Sequence, residues 1–164
     1  MTLAGGKLTT FRPQAIEVLK ACATMLERPF NDDAAPVFAA VPPLAIPGLS
    51  ANRWRRLAGR HGRDLPRLAQ LIAELGHDTV GGTDTLWAEL AVACDGEMVL
   101  HLDDLLLRRT RLGLLLPRGG EDYFAAIRQL CQPRLGWDDE HWQQELQRYR
   151  ALWQRHHGLP DAAH

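Results

Sequence analysis

The chain has 164 residues, 46% hydrophobic and 24% charged, with a formal net charge of −1. That length suits about one domain burying roughly 70% of its unfolded surface, and the near-neutral balance argues against a general polyanion binder. Three widely spaced cysteines, Cys22, Cys94 and Cys131, without a CxxC pair suit a reducing cytosol, and no basic-then-apolar N-terminal stretch marks a signal peptide. The first helical pattern runs from about Thr10 to Glu27, with Ala15, Ile16, Leu19, Cys22, Ala23 and Leu26 at helical spacing and Pro13 in the first turn. From Arg28 to about Leu49, five prolines exclude a long helix or a central strand.

From Ala51 the helical pattern returns through Trp54, Leu57 and Ala58 as far as Gly59 and Gly62, and a further helix is expected from Pro66 to Leu75, ended by Gly76. Thr83 or Asp84 is positioned to cap a helix from Thr85 to about Cys94. The stretch "HLDDLLLRRTRLGLLLP" reads as one helix opened by Asp103 or Asp104 and stopped by Pro117. Its leucines are interrupted by Arg108, Arg109 and Arg111, and it is too short to span a bilayer. Glu121 to Gln132 and Asp138 to about His157 complete the series, the last with a stripe of Trp142, Leu146, Tyr149, Trp153 and His156. The fold class is all-α: a multi-helix domain with a proline-rich loop.

One side chain conflicts with its face. Arg109 falls among Leu102, Leu105, Leu106, Leu112, Gly113 and Leu116, and a guanidinium there needs a carboxylate or carbonyl partner. Glu97, Asp103 and Asp104 are the candidates, and a pair fixing helix register explains the position more simply than a ligand-binding arginine.

Few motifs carry chemistry. The "GGK" of Gly5–Lys7 is no phosphate-binding P-loop: Leu8 stands where a hydroxyl is needed and Met1 where the first glycine belongs. Gly5 and Gly6 still allow close backbone approach, and the helix start behind them offers free N–H groups and a positive dipole end, with the charge of Lys7 added. The segment Arg53–Arg67 carries six arginines around Trp54, a pattern that can track a nucleic-acid backbone, but arginine-rich helices are more often solvated faces, and no nucleic acid is expected. The seven histidines form no HExxH and no zinc-type spacing, so no metal is expected. Of the acidic pairs, Asp32–Asp33, Asp103–Asp104, Glu121–Asp122 and Asp138–Asp139, three stand at helix starts, where they offset the macrodipole.

"GGKLTTFR" at Gly5–Arg12 closely resembles the segment that closes the flavin-binding domain of FAD-dependent glycerol-3-phosphate dehydrogenases and α-glycerophosphate oxidases. "VPPLAIPGL" at Val41–Leu49, "LAGRHG" at Leu57–Gly62 (His61 standing where the family usually carries tyrosine), "GEMVLHLDDLLLRRTRLGLLL" at Gly96–Leu116 and "LGWDDEHWQQELQRYR" at Leu135–Arg150 resemble that family's C-terminal helical domain in order. The resemblance implies that residues 1–12 end the FAD-binding domain and 13–164 form the helical domain. It implies that Gly6, Lys7, Leu8 and Thr9 contact FAD, with Lys7 towards flavin and substrate, while Glu97, Asp104, Arg108 and Arg109 form structural ion pairs.

The whole enzyme would oxidise glycerol 3-phosphate to dihydroxyacetone phosphate and pass electrons to quinone or oxygen. It would be cytoplasmic, with a peripheral place at the inner membrane open to it. The GxGxxG and substrate residues would precede Gly5, so an N-terminal FAD/substrate domain is the expected partner. This chain alone is expected neither to hold FAD tightly nor to turn over. The alternative is a free-standing helical module binding protein or nucleic acid through Arg53–Arg67.

Overall fold

Pro13 is the third residue of α1 (Phe11–Met25) in the computed structural model, where its missing N–H costs nothing. The structure describes residues 6–31, 36 and 39–158; Gly5 and the Asp32–Asp33 pair lie outside them. The chain divides into two units at Ala39–Ala40, and the sequence-expected boundary after residue 12 falls inside α1. In the first unit a 3₁₀ turn at Leu8–Thr10 leads directly into α1, no residue of which is buried. Leu8, Leu19, Met25 and Leu26 are all exposed, so the helical stripe read from the sequence is present but uncovered.

The second unit begins its helices at α2 (Ala51–His61), where the Ser50 hydroxyl accepts the Arg53 N–H at 3.3 Å, a standard cap. A short turn leads to α3 (Leu65–Leu75), with Pro66 in its first turn and Gly76 closing it at φ 84°. α4 (Trp87–Gly96) starts two residues later than the sequence suggests. Thr83 is spent on the preceding turn, its hydroxyl donating to the Val80 carbonyl at 2.7 Å and accepting the Thr85 N–H at 3.2 Å. The cap comes from inside the helix instead: the Glu89 carboxylate accepts the Leu86 N–H at 2.9 Å.

The helix expected from Asp103 to Pro117 is broken in two. Residues Asp104–Arg109 wind as a π-helix, Arg111 turns left-handed at φ 60°, and α5 covers Leu112–Leu115. Both the N–H of Thr110 (2.9 Å) and its hydroxyl (2.7 Å) bond to the Leu105 carbonyl five residues back, which stabilises the wide turn and ends it. A 3₁₀ segment, Pro117–Tyr123, with left-handed Arg118, Gly119 and Gly120 delays α6 to Phe124–Leu135. α7 (Asp139–His157) is capped by Asp138, whose carboxylate accepts the His141 N–H at 2.7 Å. Its stripe buries Trp142, Leu146 and Tyr149 and half-buries Trp153, but His156 is exposed, so the seam stops a turn early.

α4 is the centre of the second unit. Every residue from Ala88 to Ala93 is buried, and all but Glu89 are apolar, as befits a central helix packed on more than one side. One side joins Leu57, Leu65, Leu68 and Leu71 of α2 and α3; the other joins Leu102, Leu105, Ile127, Trp142 and Tyr149 of the later helices. Among the described residues the sole β-type pairing is a bridge between Thr79 and Leu86, and the fold is all-α.

Gly113 shows how tightly α7 is seated. The Tyr149 hydroxyl donates to the Gly119 carbonyl and the Trp153 indole N–H to the Gly113 carbonyl, each at 2.8 Å. A β-carbon at Gly113 would overlap the Tyr149 hydroxyl and lie 2.8 Å from Leu107 Cδ2. Gly113→Ala is therefore expected to destabilise the unit by about 2 kcal/mol in urea melts, with no change in far-UV helicity. An unchanged urea midpoint would mean that Tyr149 moves aside freely.

Candidate functional site

The N-terminal turn closes on itself. Gly6 has φ 120°, a backbone state that side-chain-bearing residues avoid. A β-carbon there would also overlap the amide of Gln14. The Lys7 N–H donates to Thr10 Oγ1 at 3.1 Å, while the Thr10 hydroxyl and N–H both donate to the Lys7 carbonyl at 2.9 Å. This locks Lys7 in an extended conformation at the head of the 3₁₀ turn and α1. The N–H groups of Leu8 and Thr9 stand at the first turn, where helical bonding supplies no acceptor, and no acidic residue occupies that turn. Lys7 is exposed and has no acidic partner among the described residues. Gly6, Lys7, Leu8 and Thr9 thus lie together on one exposed, positively polarised edge.

The other sequence-selected residues lie in the second unit. Arg108 pairs with Asp104 and, at 2.7 Å, with Asp103. Burial would push the Asp104 carboxyl up, but the His101 N–H, Arg108 and the Leu100 N–H bring it below its ordinary value. Arg109 and Glu97 form no guanidinium–carboxylate pair among the described residues. Arg109 Nε donates instead to the Glu97 backbone carbonyl at 2.7 Å, the carbonyl solution to a half-buried arginine.

Three buried carboxylates carry more of the architecture than those residues do. Asp103, fully buried, holds Arg108 and Arg148. Glu145 accepts from His101 Nδ1 and the Leu102 N–H, each at 2.9 Å, tying α7 to the π-helix. Glu89, 2% exposed, accepts both Arg56 Nη groups at 3.1 and 2.5 Å and His61 Nε2 at 3.1 Å. Burial would raise the Glu89 carboxyl, but the bonds from His61, Arg56 and the Leu86 N–H hold it down at about 2. His61 thus works as a buried partner of Glu89, joining α2 to α4. In the sequence, Asp103 and Glu145 sit within acidic pairs or amid charged helix residues, and the partners that tie these acids to other helices, 28 to 45 residues away, leave no local signal.

The arginine segment is largely committed to the chain itself. Arg56 holds Glu89, Arg60 donates to the Arg109 carbonyl, and Arg67 holds Asp95 at 2.6 Å. Trp54, half-buried, donates its indole N–H to the Leu44 carbonyl at 2.6 Å and packs against the core of α2 and α3. No helix among the described residues is long and apolar enough to cross a membrane.

Comparison with known proteins places this all-α chain and its N-terminal glycine-lysine turn. Residues 1–142 match the family described as the C-terminal domain of alpha-glycerophosphate oxidase, and the chain belongs to that family. It is similar to Glycerol-3-phosphate dehydrogenase 2 of Mycobacterium tuberculosis (strain ATCC 25618 / H37Rv), 29% identical across 92% of this chain and 28% of the relative. It is also similar to Glycerol-3-phosphate dehydrogenase of Mycobacterium leprae (strain TN), 28% identical over the same shares. A third relative, Glycerol-3-phosphate dehydrogenase of Synechocystis sp. (strain ATCC 27184 / PCC 6803 / Kazusa), is 26% identical across 98% of this chain and 32% of its own length. The chain therefore spans about a third or less of the relatives it matches. No solved structure matches it.

Proposed function

We propose that this chain is the helical C-terminal part of a flavin-dependent glycerol-3-phosphate dehydrogenase. The whole enzyme converts glycerol 3-phosphate to dihydroxyacetone phosphate and passes the electrons to quinone or oxygen, from the cytoplasm or the face of the inner membrane. An N-terminal FAD and substrate domain is its partner, with residues 1–12 as the last strip of that domain and the helices behind it as its packing base. The observation that carries this reading is the Gly6–Thr10 turn, which sets at a helix start a lysine with no acidic partner among the described residues, in a chain of this family.

The turn fits an anionic ring edge. The Leu8 and Thr9 N–H groups are left without helical acceptors at the start of the turn, and the Lys7 ammonium adds a full charge. FAD, when bound, supplies the two-electron acceptor chemistry. Lys7, Leu8 and Thr9 hold the positive potential against it, and Thr10 keeps Lys7 in place through the bonds to its N–H and carbonyl. Glu97, Asp104, Arg108 and Arg109 hold the helical unit together and touch no reactant.

The four residues form one edge, and a flavin site buries most of its ligand's surface. An FAD titration of the 164-residue chain is therefore expected to show no saturable binding and no turnover of glycerol 3-phosphate. Stoichiometric yellow colour would mean that the helical chain holds flavin by itself and would overturn the role given to Gly6–Thr9.

A further inference from the structure

Between α2, the turn before α4 and the break after the π-helix lies a cavity of about 470 Å³, lined among others by Arg56, Arg60, Asp84, Thr85, Thr110 and Arg111. That volume is in the range of small-ligand sites. Arg111 is the unusual member. It occupies the left-handed region at φ 60° and ψ 14°, which costs a non-glycine residue about 1 kcal/mol. Its carbonyl accepts the Leu114 N–H at 3.0 Å, but its side chain is exposed and makes no hydrogen bond or ion pair among the described residues. The chain is held immediately before it: Thr110 is pinned to the Leu105 carbonyl by two bonds, and Arg60 donates to the Arg109 carbonyl.

The remaining wall supplies donors. Thr85 is 7% exposed, yet its hydroxyl makes no hydrogen bond among the described residues although the residue lines the cavity. Arg56 adds a buried Nε–H without an acceptor. Three guanidinium groups face two carboxylates here. Glu89 is occupied by Arg56 and His61, with Arg60 Nε 3.6 Å away, and Asp84 is exposed at the rim. One positive charge is left over, and Arg60 and Arg111 line the same cavity as the Thr85 hydroxyl.

We propose that this cavity binds the phosphoryl group of a small phosphate ester. Two guanidinium groups and a hydroxyl supply more donors than a planar carboxylate can use, and match a dianion with three terminal oxygens. A cavity larger than the phosphoryl group leaves room for a short organic part against Leu115. The site uses the second unit alone and does not depend on the flavin reading above.

The test is calorimetric titration of the 164-residue chain at low salt with inorganic phosphate, with glycerol 3-phosphate, and with vesicles of phosphatidic acid in phosphatidylcholine. One saturable site per chain is expected. Arg111→Asn keeps a residue that tolerates the left-handed region and is expected to weaken binding at least tenfold; Thr85→Val is expected to weaken it about threefold, both with unchanged helicity. Tighter binding of glycerol 3-phosphate than of phosphate assigns a soluble ester, and binding confined to phosphatidic acid vesicles assigns a lipid headgroup. No saturable binding to any of the three probes, or equal binding by Arg111→Asn and Thr85→Val, overturns the proposal.

Discussion

Glu89→Ala is expected to lower the stability of the helical unit by about 3 kcal/mol, seen as a fall of about 10 °C in the thermal midpoint. The carboxylate is 2% exposed and is the common acceptor for Arg56, His61 and the Leu86 N–H. Its removal leaves a buried imidazole and the first donor of α4 without partners and frees Arg56 from α4. The loss stays at the lower end of the range for a broken buried pair because Arg56 is partly exposed and can reach water. Glu89→Gln keeps the shape and one acceptor and is expected to lose less.

The same carboxylate sets part of the acid response. Its pKa falls from an ordinary 4.5 in the unfolded chain to about 2 in the folded one. The stabilisation is therefore complete above about pH 4.5 and disappears as pH falls through about 2. Glu89→Ala should flatten that limb of the stability–pH curve without removing it. Asp95, which burial would raise but Arg67 and Arg134 pull below its ordinary value, contributes to the same limb. A variant as stable as the parent at pH 7, with the same acid limb, would show that Arg56 and His61 do not depend on this acceptor.

Lys7→Ala is expected to leave the stability of the 164-residue chain within about 0.5 kcal/mol, because the Lys7 side chain is exposed and has no partner among the described residues, and its bonds to Thr10 are made by the backbone. In a protein that joins this chain to a flavin domain, the same change is expected to slow glycerol 3-phosphate oxidation on the order of a hundredfold, the scale of losing one charge-stabilising donor. Lys7→Arg keeps the charge and should recover part of the rate. The contrast separates a functional from a structural role: equal loss of stability and activity would assign Lys7 to packing. Full activity would remove it from the site.

Local chemistry made much of the fold readable. Pro13, Pro66, Gly76 and Asp138 each mark a helix end by a rule that acts within four residues, and α1, α3 and α7 begin or end close to where those residues stand. The break in the leucine-rich segment was not readable, because it depends on Thr110 bonding back to Leu105 and on Arg60 reaching Arg109 from 49 residues away. The late start of α4 has the same origin, since Thr83 serves the turn and Glu89 the cap. Of the candidate site, the Gly6–Thr9 run came from its resemblance to a flavin-domain segment, while the clasp by Thr10 emerged from the geometry. Glu89, Asp103 and Glu145 are single acids in charged surroundings, and what distinguishes them is burial and distant partners.

The decisive measurement is anaerobic flavin absorbance in a fusion that places this chain behind the upstream part of the Mycobacterium tuberculosis relative, with the parent relative as reference. The expected result is a folded fusion that retains FAD and whose flavin absorbance bleaches on addition of glycerol 3-phosphate. A folded fusion that retains FAD but keeps its full absorbance, under conditions where the parent bleaches, would contradict the assignment of this chain to the completion of that site.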